Sequence, residues 1–385
     1  MWVVFEGLYL IKRIIAISNH GIMLGGGEHS FFGLLSHLPN VWKPLAIVPH
    51  EGELKARLRE NGIETQVIPL PSIRPWFFHN IFSCLRSYFI LCKKYRPALI
   101  YANGSRAAFY GGIAGKLLGL PVVWHCRIAD KNPCLDFLLI RMSDSIIANS
   151  HATARRFGSR WKNKITVVYN GVDIEWLADS SFKKPDFISE NWKVIICVAR
   201  VSQWKRHDIV LKAFEEAVMQ DSNAHLFFIG GKDVEEPEWW DYLQERTKES
   251  KYSDRIHWVG KVSDVRPWYN AAHLLVLGSE NEPFGRVLVE AMACGVSAVA
   301  VRGGGIPEIV RHGKDGFLVA PGNIGEMAAA IAKILRNKSL REHFAKSCRE
   351  RASFFSLDAH VAKMVQVFEN ALSRRANDDY ETHSN

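Results

Sequence analysis

Short apolar runs alternate with longer segments whose apolar residues recur at helical spacing, and this alternation continues along most of the chain. In the first half the apolar runs lie at 13–18, 45–48, 66–68, 98–101, 122–125 and 145–149. Helical patterns lie among them at 28–37, 53–61, 80–95 and 107–118. Strands that alternate with helices in this way are typical of βαβ units, so we predict an α/β fold with a doubly wound parallel sheet.

A polar stretch without periodicity at 178–190 interrupts this pattern and reads as a linker. The pattern then restarts, with apolar runs at 194–198, 226–229, 256–259, 274–277 and 298–301. A chain of 385 residues is long enough for two domains. We therefore predict one domain over 1–180 and a second over 191–356, and we expect the polar segment 373–385 to be a flexible tail.

The positive charge is concentrated in the first half of the chain. The net charge is +9, and residues 1–190 carry 23 Lys and Arg against 14 Asp and Glu, whereas 191–385 carry 26 of each. A basic half beside a neutral half indicates contact with something anionic, which leaves nucleic acid, an anionic membrane and a phosphorylated substrate open. Hydrophobic residues at 48% and charged residues at 23% exclude a disordered chain, a collagen and a coiled coil.

Cysteine usage and the N-terminus both favour a cytoplasmic protein. The seven cysteines form no CxxC pair and are odd in number, which argues against a disulfide framework and a zinc site. No segment reaches the roughly 20 apolar residues of a membrane-spanning helix. The N-terminal apolar stretch is interrupted by Glu6, Lys12 and Arg13 and lacks a preceding basic region, so we expect no signal peptide.

The segment 282–290 carries two carboxylates eight residues apart. Pro283 and Gly285 disfavour a helix between them, so we predict a helix from Arg286 to Gly295. Glu290 would lie at the edge of the apolar face of that helix, where a carboxylate needs a partner. Hydroxyl groups of a sugar would be suitable hydrogen-bond donors to this carboxylate. The alternative is that Glu290 is exposed to solvent and binds no ligand.

Two cations follow the first predicted strand of the second half. Arg200 comes directly after that strand and Lys205 opens the next helical pattern. Ligands bind at the carboxyl ends of parallel strands, and an Arg fork with a Lys point charge suits a diphosphate. Two ordinary surface cations remain the alternative.

Three weaker features complete the candidate chemistry. The glycine runs 25–27 and 303–305 each precede a predicted helix, where backbone N–H groups hold phosphate in other proteins, although a plain tight turn explains them equally. Neither run matches a P-loop. His125 ends a predicted strand and would either bond a substrate hydroxyl or pack in the interior.

Taken in order, these motifs resemble the GT-B-fold retaining glycosyltransferases of family 4, the group 1 glycosyl transferases. The resemblance extends over about 12–372 and is stronger in the second half. Further matching stretches are Gly25–Glu28, Ala148–Ser150, Asn170–Asp173, Val259–Asp264 and Asp315–Val319. It implies two Rossmann-like domains that face an interdomain cleft, with the acceptor on the N-terminal domain, the nucleotide-sugar donor on the C-terminal domain, and a helix at 357–372 that crosses back to the first domain.

The resemblance also implies roles for individual residues. Arg200 and Lys205 would neutralise the diphosphate, Glu290 would bind the ribose, Glu282 would bind the hexose, and His125 would contact the sugar near the reacting carbon. The resemblance implies transfer without a metal or cofactor. The residues expected to contact the nucleotide-sugar are Gly26, Gly27, Arg200, Lys205, Val259, Lys261, Val262, Glu282, Pro283, Phe284, Gly285, Arg286, Val287 and Glu290.

The function expected from this resemblance is transfer of a hexose from a nucleoside diphosphate, with UDP more common than GDP, to a glycan or lipid-linked acceptor. Cell-surface polysaccharide or lipopolysaccharide synthesis is the expected setting. The alternatives are a GT-B-fold nucleotide-sugar epimerase, and a basic nucleic-acid binder, for which we find no motif and which we therefore do not expect.

The basic segment 74–97 suggests one more partner. Its aromatic and leucine residues lie among Arg86, Lys93, Lys94 and Arg96, as expected of a helix that rests on the anionic inner face of a membrane. The alternative is an ordinary packed helix with a basic outer edge.

Overall fold

A computed structural model describes residues 5–6, 9–23, 25–73, 78–179, 181–219 and 223–383. The chain forms two compact units. The first unit comprises Met1–Gly171 together with Leu357–Asn385, and the second comprises Val172–Ser356.

The strands, numbered along the chain, are β1 (Phe5–Glu6), β2 (Tyr9–Leu10), β3 (Lys12–Ser18), β4 (Trp42–Val48), β5 (Glu64–Val67), β6 (Leu99–Asn103), β7 (Val122–Cys126), β8 (Ser145–Ala148), β9 (Ile165–Val167), β10 (Lys193–Val198), β11 (Ala224–Ile229), β12 (Ile256–Gly260), β13 (Leu274–Leu277), β14 (Ala298–Val301) and β15 (Gly316–Val319).

The helices are α1 (Gly26–Ser36), α2 (Glu53–Glu60), α3 (Phe78–Tyr95), α4 (Ser105–Leu118), α5 (Pro133–Met142), α6 (His151–Ala154), α7 (Ile174–Ala178), α8 (His207–Ala217), α9 (Pro237–Lys248), α10 (Arg266–Ala271), α11 (Arg286–Ala293), α12 (Ile306–Ile309), α13 (Ile324–Arg336), α14 (Lys338–Ala352) and α15 (Leu357–His383).

A parallel sheet with the order β5-β4-β3-β6-β7-β8-β9 forms the centre of the first unit. Its inner strands are continuous apolar runs, as in Ile14–Ile17, because a parallel sheet is buried on both faces. The predicted parallel, doubly wound sheet is confirmed, while the edge strand β9 was not predicted because its residues are only partly buried and lack a clear pattern. β1 and β2 form a separate antiparallel pair.

Helices cover both faces of this sheet. Alternate strand residues such as Ile15 and Ile17 pack with α3, α4 and α5, whereas Ile14 and Ala16 pack with α1, α2 and α15. α15 buries Phe368 against this second face. The C-terminal helix therefore returns to the first unit, as the resemblance implies.

The second unit contains a parallel sheet with the order β12-β11-β10-β13-β14-β15. Its core joins these strands to α8, α13 and α14. The strand order reverses between β10 and β13, just as it reverses between β3 and β6 in the first unit. Both units therefore have the doubly wound, Rossmann-like architecture, whose ligand sites lie at the carboxyl ends of the strands where the order reverses.

The observed boundaries differ from the predicted ones at two places. The second unit begins at Val172 rather than after 180, because the Val172 N–H donates to the Phe355 carbonyl (3.0 Å) and Cys294 donates to the Leu177 carbonyl (3.2 Å). The helix predicted at 357–372 continues to His383, so the segment expected to be a flexible tail is helical that far, and its last two residues lie outside the described residues. Within the described residues, no helix combines the length and apolarity needed to cross a bilayer.

Candidate functional site

In the second unit the carboxyl ends of β10 and β11 are joined closely through the backbone. The Ala199 N–H donates to the Ile229 carbonyl (3.0 Å), and the Val201 N–H donates to the Gly231 carbonyl (2.9 Å). A Cβ atom at Gly230 would lie 1.9 Å from the Ala199 carbonyl oxygen, and φ there is +153°, so the position requires glycine. This contact fixes the backbone from which Arg200 projects.

A salt bridge connects the segment after β10 to the segment after β13. Lys205 ends a short 3₁₀ helix, Gln203–Lys205, and its Nζ lies 2.7 Å from Oε2 of Glu282. Only 14% of the lysine side chain and 13% of the glutamate side chain are exposed. An unpaired buried charge is costly, so each of these side chains stabilises the charge of the other. The pair lies at the point where the strand order reverses.

Two further ion pairs lie beside this one. Arg206 donates from Nη1 to Oε1 of Glu280 (2.8 Å), so consecutive cations contact both acidic residues of the loop after β13. Arg200 donates from Nε to the buried Asp233 (3.1 Å), while 42% of its side chain stays exposed. Sequence reasoning missed Arg206, Glu280 and Asp233, because their significance comes from partners far away in the chain.

Glu290 is held by two protein groups. Arg286 Nε donates to Oε1 (2.6 Å) and the Tyr269 hydroxyl donates to Oε2 (2.9 Å). Burial, and then the negative charge of Glu290, raise the pKa of Tyr269 well above 10, so the phenol stays protonated as the donor. The sequence predicts that the Glu290 carboxylate needs partners, and the structure supplies Arg286 and Tyr269. No local sequence signal marks Tyr269 for this role.

The glycine run 303–305 packs directly against the backbone of the loop that carries Glu282. A Cβ atom at Gly303 would lie 1.8 Å from the Glu280 carbonyl oxygen, and one at Gly304 would lie 2.1 Å from the Glu282 carbonyl oxygen. The Gly305 N–H donates to that same Glu282 carbonyl (2.7 Å). These glycines therefore position the Glu282 loop, and the helix that follows them, α12, has only four residues.

The remaining predicted residues of the second unit lie around these pairs. α11 begins at Arg286 as predicted, after Gly285 with φ of +98°, while Phe284 is buried and its ring centroid lies 5.8 Å from that of Phe355. Val287 is a partly buried residue of α11. Val259 lies in β12, and Pro283, Lys261 and Val262 lie in the loops that follow β13 and β12.

A buried histidine lies beside the Lys205 cluster. His207 is the first residue of α8, is fully buried, and packs near the rings of Phe228 and Trp258. Burial, followed by the nearby Lys205 charge, lowers its pKa to about 4. The imidazole is therefore neutral at neutral pH and adds no charge to the cluster.

In the first unit, His125 belongs to a polar network at the carboxyl ends of β6 and β7. Its Nδ1 lies 2.9 Å from the Tyr101 hydroxyl. Arg127 donates from Nη2 to that hydroxyl (3.4 Å) and from Nε to Oδ1 of Asn103 (2.8 Å), and it also donates to Asn170. Arg127, Tyr101 and Asn170 were not predicted as site residues, because the hydrogen bonds that connect them to one another and to His125 are set by the fold.

This network fixes the protonation of His125. Burial, followed by the charges of Arg127 and His360, lowers the pKa of His125 well below 6.5, so the ring is neutral. The Tyr101 hydroxyl accepts from Arg127 and has two acceptors within reach, Nδ1 of His125 (2.9 Å) and Oδ1 of Asn103 (3.5 Å). The other ring nitrogen of His125, Nε2, is buried without a protein hydrogen-bond partner.

The glycines predicted to approach phosphates lie close to this network. Gly26 is the first residue of α1, and the Gly27 carbonyl accepts a hydrogen bond from Nδ2 of Asn103 (3.4 Å). A Cβ atom at Gly27 would meet nothing within 4 Å, so the backbone is open at that point. Gly26, Gly27 and His125 thus lie at one edge of the first sheet, whereas the other predicted site residues lie in the second unit.

A cavity of about 550 Å³ opens at the same edge of the first sheet. The segments after β3, β4 and β5 line it together with α3 and Arg106 at the start of α4. Arg106 donates to the carbonyls of Leu70 (3.4 Å) and Asn19 (3.2 Å), which fixes its guanidinium at the wall. The lining contains no carboxylate, and its polar side chains include Asn80, Ser83 and Ser87.

Chemically, the second unit offers cations and carboxylates side by side. Such a set suits a ligand that combines phosphate groups with hydroxyl groups. Among the described residues, no group of three or more His, Cys, Asp or Glu side chains is arranged to hold a metal ion.

Comparison with solved structures identifies the fold class. HepE from Anabaena, solved in complex with UDP, superposes with a TM-score of 0.79 at 23% identity, covering 94% of this chain and 100% of that one. The two Rossmann-like units and the returning helix therefore have the GT-B architecture of glycosyltransferases.

Family models then identify the family. Residues 179–351 match the model for glycosyl transferases group 1, and residues 24–176 match the model for glycosyltransferase family 4. Together the two matches cover well over half of the sequence. The chain belongs to the group 1, family 4 glycosyltransferases, as its motifs predict.

Curated relatives match over only part of their length. N-acetyl-alpha-D-glucosaminyl L-malate synthase of Bacillus anthracis is 32% identical over 231 residues, which are 58% of this chain and 59% of that protein. The lipopolysaccharide core biosynthesis mannosyltransferase LpcC of Rhizobium leguminosarum bv. viciae is 28% identical over 243 residues, 61% of this chain and 66% of that protein. The matches thus span less than two thirds of these relatives.

Proposed function

We propose that this protein transfers a hexose from a nucleoside-diphosphate sugar to a glycan or lipid-linked acceptor, with retention of the anomeric configuration and without a metal ion. The observation that carries this proposal is the cluster of Arg200 and Lys205 with Glu282 in the second unit, 2.7 Å separating the lysine from the glutamate. Cations for a diphosphate lie there beside a carboxylate for sugar hydroxyls.

The cations supply the main catalytic effect in this proposal. Breaking a glycosyl–phosphate bond leaves negative charge on the departing diphosphate, and fixed cations stabilise that charge more in the transition state than in the ground state. An ammonium has three N–H donors, of which Glu282 takes one, so Lys205 can also bind phosphate oxygens. At about 1.5–3 kcal/mol for each charge-assisted hydrogen bond, two cations would contribute roughly 10²- to 10⁴-fold in rate.

The carboxylates orient the donor. Glu282 would accept hydrogen bonds from the hexose, and Glu290, held by Arg286 and Tyr269, would accept them from the ribose. His125 would form a hydrogen bond to the sugar through Nε2, the nitrogen that has no protein partner. The acceptor would attack from the face that the phosphate leaves, and the departing phosphate would take the acceptor's proton.

The donor is a uridine diphosphate sugar in this proposal. HepE, which shares the fold, was solved with UDP and with UDP-glucose. The setting is assembly of a cell-surface glycan, which the similarity to the mannosyltransferase LpcC supports.

The cavity of the first unit is the acceptor site in this proposal. A transferase needs a second ligand besides its donor, and the diphosphate-binding chemistry lies in the other unit. Arg106 and the absence of carboxylates from the lining favour an acceptor that carries a negative charge together with hydroxyl groups. L-malate, which the name of the Bacillus anthracis relative contains, is such an anion.

Calorimetry with UDP, GDP and ADP, each with and without EDTA, tests the donor site. We expect UDP to bind independently of EDTA, and we expect Arg200→Ala to weaken binding about 10- to 100-fold. Arg336→Ala, at an exposed position at the end of α13, is the matched control. The proposal fails if no nucleotide binds or if both variants bind like the wild type. Release of UDP in proportion to sugar transferred separates a transferase from an epimerase.

A further inference from the structure

Three neighbouring helices of the first unit carry basic residues but almost no acidic ones. α3, α4 and α5 pack on one face of the sheet, with α4 between the other two. α3 and α4 contain no Asp or Glu. α5 contains only Asp136, which is buried and bonded to Arg156 (Nε to Oδ2, 2.9 Å). These helices therefore present no exposed carboxylate.

The opposite face of the same sheet is different. α2 carries Glu53 and Glu60 among its basic residues, and α15 carries Asp358 and Glu369. A helix that is merely solvated normally mixes both signs of charge, as these do. The lack of exposed carboxylates on α3, α4 and α5 is thus not general to the first unit.

The outer sides of these helices also expose large apolar side chains. Phe82 on α3 is 73% exposed, Ile90 on α3 is 52% exposed, and Leu117 on α4 is 70% exposed. Phe137 and Leu138 on α5 are exposed as well. Large apolar residues concentrated on one face of a domain indicate an interaction site rather than the scattered exposure of an ordinary surface.

Cations lie among these apolar residues on every helix. Arg86 and Lys93 are exposed on α3, Lys116 on α4 and Arg141 on α5. The Lys93 Nζ lies 4.5 Å from the Phe89 ring centroid, and the Arg141 guanidinium carbon lies 4.5 Å from that of Phe137. Apolar side chains with interspersed cations match a bilayer interface, where the rings enter the acyl boundary and the cations contact lipid phosphates.

We propose that the outer face of α3, α4 and α5, here called the basic apolar face, docks the protein on an anionic lipid bilayer. The sequence placed such a contact on 74–97 alone. Residues 74–77 lie outside the described residues, and the face extends over two further helices. The proposal concerns binding only and does not rest on the proposed transfer activity.

The face also has a consequence for access to the cavity. α3 contributes Asn80, Ser83 and Ser87 to the cavity lining, while Phe82 and Arg86, on an adjoining side of the same helix, belong to the basic apolar face. Docking would therefore bring the edge of the cavity close to the lipid headgroups, which suits a lipid-linked acceptor.

Vesicle flotation of the full chain tests the proposal. We expect the protein to float with vesicles of phosphatidylcholine and phosphatidylglycerol but not with phosphatidylcholine alone, and to dissociate as salt is raised. Each cation near an anionic surface contributes about fivefold to binding. The triple variant Arg86→Gln/Lys93→Gln/Arg141→Gln should therefore bind roughly a hundredfold more weakly.

Matched controls lie in the second unit. Lys248→Gln/Lys338→Gln/Lys346→Gln removes the same charge from exposed positions and should float like the wild type. Phe82→Ser should weaken flotation, whereas Met219→Ser, at another exposed apolar position, should not. Circular dichroism melting confirms that each variant is folded.

Three results would overturn the proposal. The first is a wild type that does not float with anionic vesicles. The second is equal loss of flotation in the face variants and the controls. The third is tighter, salt-sensitive binding of the wild type to an oligonucleotide that the face triple variant abolishes, which would assign the face to nucleic acid.

Discussion

The Lys205 ammonium donates a 2.7 Å hydrogen bond to the Glu282 carboxylate, and this contact joins two segments that are 77 residues apart in sequence. It lies where the strand order of the second sheet reverses, between β10 and β13. A cation and a carboxylate are thereby fixed side by side before any ligand binds. Preorganisation of this kind is what electrostatic stabilisation of a transition state requires.

Replacing Lys205 should reduce turnover more than donor binding. Lys205→Ala removes one charge-assisted hydrogen bond to the departing diphosphate, and we expect kcat to fall about 10- to 100-fold. Steady-state transfer kinetics measure the effect, with Lys212→Ala on the exposed side of α8 as the control. An unchanged kcat in Lys205→Ala would show that this lysine does not stabilise the transition state.

Replacing Glu290 should weaken donor binding more than replacing Tyr269. Glu290→Gln removes the charge held by Arg286, so we expect UDP to bind about 10- to 100-fold more weakly. Tyr269→Phe removes one of the hydrogen bonds to Glu290 and leaves the Arg286 contact, so its loss should be smaller, about tenfold or less. Calorimetry with UDP measures both variants. Wild-type affinity in Glu290→Gln would contradict the assignment to the ribose.

A methyl group at Gly304 should disturb the Glu282 loop. Gly304 and Gly313 both have positive φ, +54° and +75°, but only at Gly304 would a Cβ atom meet a carbonyl oxygen, that of Glu282 at 2.1 Å. Gly313→Ala therefore reports the cost of the backbone conformation alone, about 1–2 kcal/mol. We expect Gly304→Ala to lower both the melting temperature and UDP affinity further than Gly313→Ala does. Equal effects would show that the loop accommodates the methyl group.

His207 should make stability depend on pH. Its pKa is about 4 in the folded protein, below the ordinary value near 6.5, so the unfolded chain binds the proton more readily. The contribution is complete above pH 6.5 and falls as the pH drops towards 4, by about 1.4 kcal/mol per pH unit. At pH 5 the loss is about 2 kcal/mol.

Melting curves between pH 7 and pH 5 measure this dependence. His207→Gln should reduce the slope by the share of one proton, because His125 and the other buried histidines with lowered pKa values keep their own contributions. Substitution of the exposed His343 by Gln should leave the slope unchanged. A wild-type slope retained in His207→Gln would show that other groups cause the pH dependence.

Sequence patterns predicted most of the elements that carry the site. The start of α11 at Arg286 followed from Pro283 and Gly285, which prevent an earlier start, and the main strands followed from their apolar runs. These signals are local, because propensity and periodicity act over a few residues. The edge strand β9 lacked such a signal, since its partly buried residues show no clear pattern.

The contacts that orient the site were beyond sequence reasoning. Arg200 was marked by its place after a strand, but its partner Asp233 lies in the loop after the next strand. Tyr269 carries no local sequence signal for a role in the site, and only the fold brings its hydroxyl to Glu290. Such pairs depend on how strand ends are arranged in space, which one sequence does not report.

The chain order of the two units has a consequence for biosynthesis. The first unit lacks α15 until residues 357–383 have been translated, so until then α15 does not cover the sheet face that contains Ile14 and Ala16. The second unit is one continuous segment, Val172–Ser356, and can fold earlier. Because exposed apolar surface promotes aggregation of nascent chains, the incomplete first unit is the part most in need of a chaperone on the ribosome. A stop codon just before Leu357 would spare every residue of the donor cluster and still be expected to yield aggregated protein.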